Sequence, residues 1–194
     1  MIEYYSLKID DNLMIKLPLV ETDDISYYSL NIMGMHKLNK KLAELLHQEI
    51  LNHNIIPEVI LTVEAKAIGL VEQLSDLFGI EKYTVVRKSK KSYMKNPISS
   101  KGTSIISKDN VYWLDEEDLI YLKGKKVIFC DDVISSGGTI EAVKKILDKH
   151  GIIVKAYVTA LTEGTDWKDI DGVKVIKLGH FPLPEKKLAG EKND

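Results

Sequence analysis

Apolar positions along the chain change their period several times, and each change marks an element. Residues 1–33 mix short apolar runs with turn formers and read as strands and loops. Within them Leu17-Pro18-Leu19-Val20 is extended, because a proline disfavours helix in the residue before it. From about Met35 to His53, Leu38, Leu42, Leu45, Leu46 and Ile50 recur at helical spacing, with charged residues between them. The period then shortens. Val59-Ile60-Leu61-Thr62-Val63 suits a buried parallel strand. Ala67 to Phe78 is helical and closed by Gly79, and Tyr83-Thr84-Val85-Val86 is a second strand. Lys88 to about Asn110 is polar and too long for a routine connection, so it reads as functional or disordered. Asp115 to Leu122 is a short helix capped by Asp115. Val127 to Cys130 is a third strand, Thr139 to His150 a helix closed by Gly151, Ile153 to Leu161 a fourth strand and Val173 to Leu178 a fifth.

This order predicts an α/β fold: an open parallel sheet with helices on both faces over residues 34–184. Residues 1–33 form a small N-terminal hood or arm, and residues 185–194 a charged tail expected to be disordered. In such sheets ligands bind at the carboxyl ends of the strands.

Composition narrows the picture. The 194 residues carry a formal net charge of -2, which gives no footprint for non-specific nucleic-acid binding. No apolar run approaches the ~20 residues that span a bilayer, and the N-terminus has no basic region followed by an apolar stretch, so neither a membrane nor a leader is expected. The single cysteine, Cys130, allows no internal disulfide; a reducing, cytoplasmic setting follows, with Cys130 a small buried hydrophobe.

The densest chemistry lies in Val127-Ile128-Phe129-Cys130-Asp131-Asp132-Val133-Ile134-Ser135-Ser136-Gly137-Gly138-Thr139. Gly137 and Gly138 can take positive φ, so their N–H groups can converge on an anion. The helix starting near Thr139 adds unpaired donors and the positive end of its dipole. Ser135, Ser136 and Thr139 add hydroxyls, so a phosphate monoester can be held without arginine or lysine. Asp131 and Asp132 accept hydrogen bonds and suit a vicinal diol. Beside a phosphate cradle they make sense if a sugar or a metal intervenes. The stretch is not a P-loop, because Gly-x-x-x-x-Gly-Lys-Ser/Thr is absent, and it is not a dinucleotide fingerprint, because Gly-x-Gly-x-x-Gly is absent.

The segment resembles the phosphoribosyl diphosphate signature of type I phosphoribosyltransferases: an apolar strand, two acids and a Thr/Ser-Gly-Gly-Thr loop. The strand and helix order from Val59 to Leu178 is similar too. The resemblance implies that Asp131 and Asp132 take the ribose hydroxyls and reach Mg²⁺ indirectly, and that Ser135, Ser136, Gly137, Gly138 and Thr139 hold the 5′-phosphate. Glu64-Ala65-Lys66 resembles the diphosphate loop of adenine and xanthine enzymes, although Ala67 stands where glycine is usual. Arg87-Lys88-Ser89-Lys90-Lys91 opens the long polar segment. By resemblance Arg87 and Lys88 stabilise the departing diphosphate, Lys91 adds to substrate binding, and the following loop closes to exclude water.

The implied reaction moves ribose 5-phosphate from phosphoribosyl diphosphate to a nucleobase, with Mg²⁺ as cofactor. Ser135 stands where hypoxanthine-guanine enzymes carry an aspartate, which points to an adenine- or xanthine-type acceptor. The lid nevertheless lacks the Tyr-x-Leu-Glu-Tyr-Gly stretch of ordinary adenine enzymes. Glu116, Glu117 and Asp118 read as a helix-start acid cluster rather than a catalytic base. Tyr27, Tyr28 and Phe181 are able to stack on a purine, but core packing accounts for each. An orotate or uracil enzyme and a non-catalytic sensor of phosphoribosyl diphosphate remain as alternatives. The family commonly forms homodimers.

Overall fold

The computed structural model describes residues 2–22, 25–102 and 110–184. The chain opens with β1 (Tyr4–Asp10), β2 (Leu13–Glu21) and β3 (Ser26–Tyr28), which pair antiparallel as a sheet of their own. There follow α1 (His36–Asn52), β4 (Val59–Val63), α2 (Ile68–Phe78) and β5 (Thr84–Val86). A hairpin comes next, β6 (Pro97–Gly102) with β7 (Asn110–Asp115), and then α3 (Glu116–Leu122). The second half holds β8 (Val127–Ile134), α4 (Gly138–Lys149), β9 (Val154–Glu163), β10 (Asp169–Ile170) and β11 (Val173–Phe181).

The central sheet has the order β10-β11-β9-β8-β4-β5. All its pairs are parallel except the short β10–β11 ribbon. Side chains alternate across it, as strand geometry requires. Ile60, Ile128, Cys130, Ala156 and Val158 pack on one face with Leu42, Leu46 and Ile50 of α1 and Leu70 and Leu74 of α2. Val59, Leu61, Val127 and Phe129 pack on the other with Leu119 of α3 and Ile140, Val143, Ile146 and Leu147 of α4. The helices therefore cover both faces, as the pattern predicts, and Cys130 is fully buried within the first core. Burial and the neighbouring aspartates push its thiol far up, which makes it inert.

Three strands run further than the apolar patterning suggests. β8 continues through Asp131 and Asp132 to Ile134, and β9 and β11 continue to Glu163 and Phe181, because ladder pairing carries them past their apolar stretches: Asp131 pairs with Thr159 and Glu163 with Phe181. The polar segment after β5 is also more ordered than its composition implies. Pro97–Gly102 of it forms β6, which pairs with β7, where Tyr112 and Leu114 are buried. Gly102 lets the hairpin approach α4, since a Cβ there would lie 2.7 Å from the Ala142 Cβ and 2.9 Å from the Gly138 carbonyl. Residues 103–109 and the tail at 185–194 lie outside the described residues.

The N-terminal sheet is anchored to the same core. Ile15 and Leu17 are buried with the α1 side of the main sheet, and Leu7 and Ile9 pack over Gly179 of β11. Asn39 of α1 donates to the Ile32 carbonyl at 2.9 Å, tying the segment after β3 to the helix. Among the described residues, no helix is long and apolar enough to cross a membrane.

Candidate active site

β8 delivers Asp131 and Asp132 to the carboxyl edge of the sheet. The Asp132 N–H donates to Asp131 Oδ1 at 2.9 Å, and the buried Thr159 hydroxyl donates to the Asp132 carbonyl at 3.0 Å. Both aspartates are thus positioned by backbone and by the neighbouring strand. Burial and then the charge of Asp132 raise the Asp131 carboxyl well above the usual carboxylate range; Lys88 acts in the opposite sense.

The turn that follows is shaped by backbone conformation. Gly137 caps α4 in the left-handed region, at φ 79°, which a side chain rarely adopts. Neighbours fix the turn from two sides: Trp167 Nε1 donates to the Ser135 carbonyl at 2.7 Å, and the Tyr112 hydroxyl lies 3.1 Å from Thr139 Oγ1. Ser135, Ser136, Gly137, Gly138 and Thr139 line a cleft of about 670 Å³, open solvent at its mouth included, together with Tyr27, Val133 and Glu163.

The cleft continues toward β4. Glu64, Ala65, Lys66, Lys88 and Asp132 line this part, with Asp131 and Tyr27 shared between the two. Lys66 Nζ lies 3.6 Å from Asp132 Oδ2 and donates to the Leu30 carbonyl at 3.2 Å. Glu64 accepts from the Lys88 N–H, pairs with Arg87 Nε at 2.8 Å, and has Lys91 Nζ at 4.0 Å. Arg87 and Lys91 therefore reach the cleft through Glu64 rather than lining it. The Glu64–Ala65 peptide is cis. Ala67 sits at φ -80° and ψ -6°, so glycine is not required there; Gly69 is the close-packed position, where a Cβ would fall 2.8 Å from Asn39 Nδ2.

The remaining candidates divide cleanly. Phe181 is fully buried, and Tyr28 packs on it and on Tyr5, so both belong to the core. Tyr27 lines both parts of the cleft, and Tyr28 also borders the part toward β4. Glu116, Glu117 and Asp118 pair with Asn96, Lys95 and Lys82, outside the cleft. Asp115 caps α3 as expected and also accepts from the Lys95 and Asn96 N–H groups. Glu163 is a residue that sequence reasoning passed over. The signal was available: an acid directly after a buried run, at the same sheet edge as the aspartate pair. Burial raises its carboxyl, while Ser135 and Lys66 hold it down.

A family model, described as the phosphoribosyl transferase domain, matches residues 30–184. The chain belongs to that family. A hypoxanthine/guanine phosphoribosyltransferase of Methanotorris igneus is 32% identical over 180 residues, covering 89% of this chain and 93% of that protein. One from Methanocella paludicola is 31% identical over 130 residues, and there the match spans 67% of this chain and 64% of the relative's length. Among solved structures, an adenine phosphoribosyltransferase from Rhodothermus marinus superposes with a TM-score of 0.66 at 17% identity, covering 85% of this chain and 94% of that one. The structural likeness supports the type I fold and says nothing by itself of the base.

Proposed function

We propose that this chain transfers ribose 5-phosphate from phosphoribosyl diphosphate to a purine base, releasing diphosphate. One observation carries the reading: a left-handed, hydroxyl-rich turn, an aspartate pair and a basic strand end open into one cleft. The turn and the N-terminus of α4 take the 5′-phosphate through Ser135, Ser136, Gly137, Gly138 and Thr139. Asp131 and Asp132 accept from the ribose hydroxyls. Glu64, Ala65, Lys66 and Lys88 bound the place for diphosphate, with Arg87 and Lys91 behind Glu64. Catalysis then comes from fixing the donor and from positive charge placed where the leaving group gains negative charge. Tyr27 and Val133 give apolar walls for a planar base.

The side chains fit a magnesium ion held chiefly by substrate oxygens and water. Among the described residues no cluster of three or more acids, histidines or cysteines gathers to cage one, and the crowding of Asp131 by Asp132 suits a nearby cation. When bound, Mg²⁺ supplies charge neutralisation on the diphosphate. The implied setting is the cytoplasm and the implied assembly a homodimer, which the solution mass of the purified chain tests.

Within the purines, Ser135 and the Glu64-Ala65-Lys66 turn favour an adenine- or xanthine-type acceptor. The names of the relatives favour hypoxanthine or guanine. Diphosphate release from phosphoribosyl diphosphate and Mg²⁺, with adenine, xanthine, hypoxanthine and guanine in turn, decides between them. The paired change Asp131→Asn with Asp132→Asn is expected to abolish release while leaving the circular dichroism spectrum unchanged; full activity in that variant refutes the reading.

A further inference from the structure

Four carboxylates line the cleft: Glu64, Asp131, Asp132 and Glu163. Three have partners evident in the geometry, and none of their oxygens is left buried without one among the described residues. Glu64 holds Arg87 and the Lys88 N–H, Asp131 accepts from the Asp132 N–H, and Asp132 faces Lys66. Glu163 differs. Its Oε1 is shut off from solvent and has no hydrogen-bond partner among the described residues. A buried acceptor left unpaired is costly, and such groups concentrate where a ligand completes them. Glu163 ends β9, one strand over from the phosphate turn, and lines the cleft beside Tyr27, Val133 and Ser135.

The transfer leaves one chemical requirement unmet by the residues assigned so far. A neutral purine carries one imidazole N–H. As its N9 bonds to ribose C1, the C1–O bond to diphosphate breaks and its electron pair leaves with diphosphate. The imidazole nitrogen must then give up its proton. We propose that Glu163 is the acceptor of that proton, Oε1 taking the hydrogen bond from the imidazole N–H in the bound base and the proton itself as the C1–N9 bond forms. This inference rests on the transferase reading above. It names a catalytic residue for any purine, since every purine base has this N–H, whichever groups occupy the six-membered ring. The groups facing Glu163 are compatible with the role. Ser135 and Lys66 keep the carboxyl available as an anion, burial keeps it basic, and Tyr27 and Asp131 complete the surround.

The test uses the intact chain and three measurements. Titration of ribose 5-phosphate reports the phosphate and diol site, diphosphate release with the four bases reports turnover, and added formate probes a missing carboxylate. Glu163→Gln is expected to keep ribose 5-phosphate affinity within about twofold and to lose about 10²-fold or more in kcat. Glu163→Ala is expected to lose as much and to regain turnover with formate, which a purely structural role would not produce. Turnover by Glu163→Gln within about threefold of the parent, or a Glu163→Ala loss that formate leaves untouched, overturns the assignment while the transferase reading stands. If the parent chain binds ribose 5-phosphate but turns over none of the four bases, both fall. If it does not bind ribose 5-phosphate, the reading of the cleft itself is wrong.

Discussion

At the end of β8 the cleft wall is mostly backbone; at the ends of β4 and β5 it is mostly charge. The turn from Ser135 to Thr139 is held by one left-handed glycine, an indole bond to a carbonyl and a tyrosine hydroxyl, all neutral contacts. The opposite wall is held by ion pairs, Glu64 with Arg87 and Lys66 with Asp132. The first wall is set before any ligand arrives. The second has cations already engaged by acids, so an incoming diphosphate competes with Glu64 and Asp132 for them. A rigid phosphate anchor beside an exchangeable charge cluster suits a donor that keeps its 5′-phosphate in place while its diphosphate departs.

This contrast can be broken from either side. The largest effect is expected on the charged wall. Arg87→Ala should lower kcat/KM for phosphoribosyl diphosphate by about 10²-fold, as removal of one buried charge-stabilising donor does elsewhere, and leave ribose 5-phosphate binding nearly unchanged. On the backbone wall Gly137→Val forces a β-branched residue into positive φ, a strain of about 1–3 kcal/mol. Ribose 5-phosphate affinity should fall by about tenfold, the equivalent of about 1.4 kcal/mol. Trp167→Phe removes only the bond to the Ser135 carbonyl, so a loss of about 1 kcal/mol, read as a roughly fivefold weaker ribose 5-phosphate titration, is expected.

A fourth prediction concerns stability. The folded chain holds the Asp131 proton more tightly than the unfolded chain does. Stability contributed by this group is therefore present at low pH and is lost as pH rises through its raised folded value. Asp131→Asn should remove that loss. Its melting temperature at neutral pH should exceed the parent's by about 2–4 °C for each kcal/mol relieved, and the gap should close toward acid. The measurement is a melting series from about pH 4 to pH 8, and an unchanged gap across it would show that Asp131 carries no buried strain.

Much of the molecule was legible in the residues. Helix periodicity found α1, α2 and α4 to within a residue or two, and the β-rich runs located β4, β5, β8, β9 and β11. The Asp131-Asp132 pair and the glycine turn were readable because their chemistry is contiguous in sequence. The β6–β7 pair was not readable, because Ser99 and Lys101 at its exposed positions and Gly102 beside them hide the Tyr112 and Leu114 face that packs inward. Glu163 was not singled out either, since an acid at a strand end means little until its neighbours are known.

The order of apolar and polar residues alone determined the α/β class, the helices on both faces and the sheet edge that carries the chemistry, because those follow from local periodicity and short turns. Tertiary structure decided the rest: that Arg87 engages Glu64, that Tyr27 lines both parts of the cleft while Phe181 is sealed in the core, and that Glu163 Oε1 is shut off from solvent with no hydrogen-bond partner among the described residues. These depend on distances between residues far apart in the chain, which closure of the sheet and the docking of β1–β3 establish.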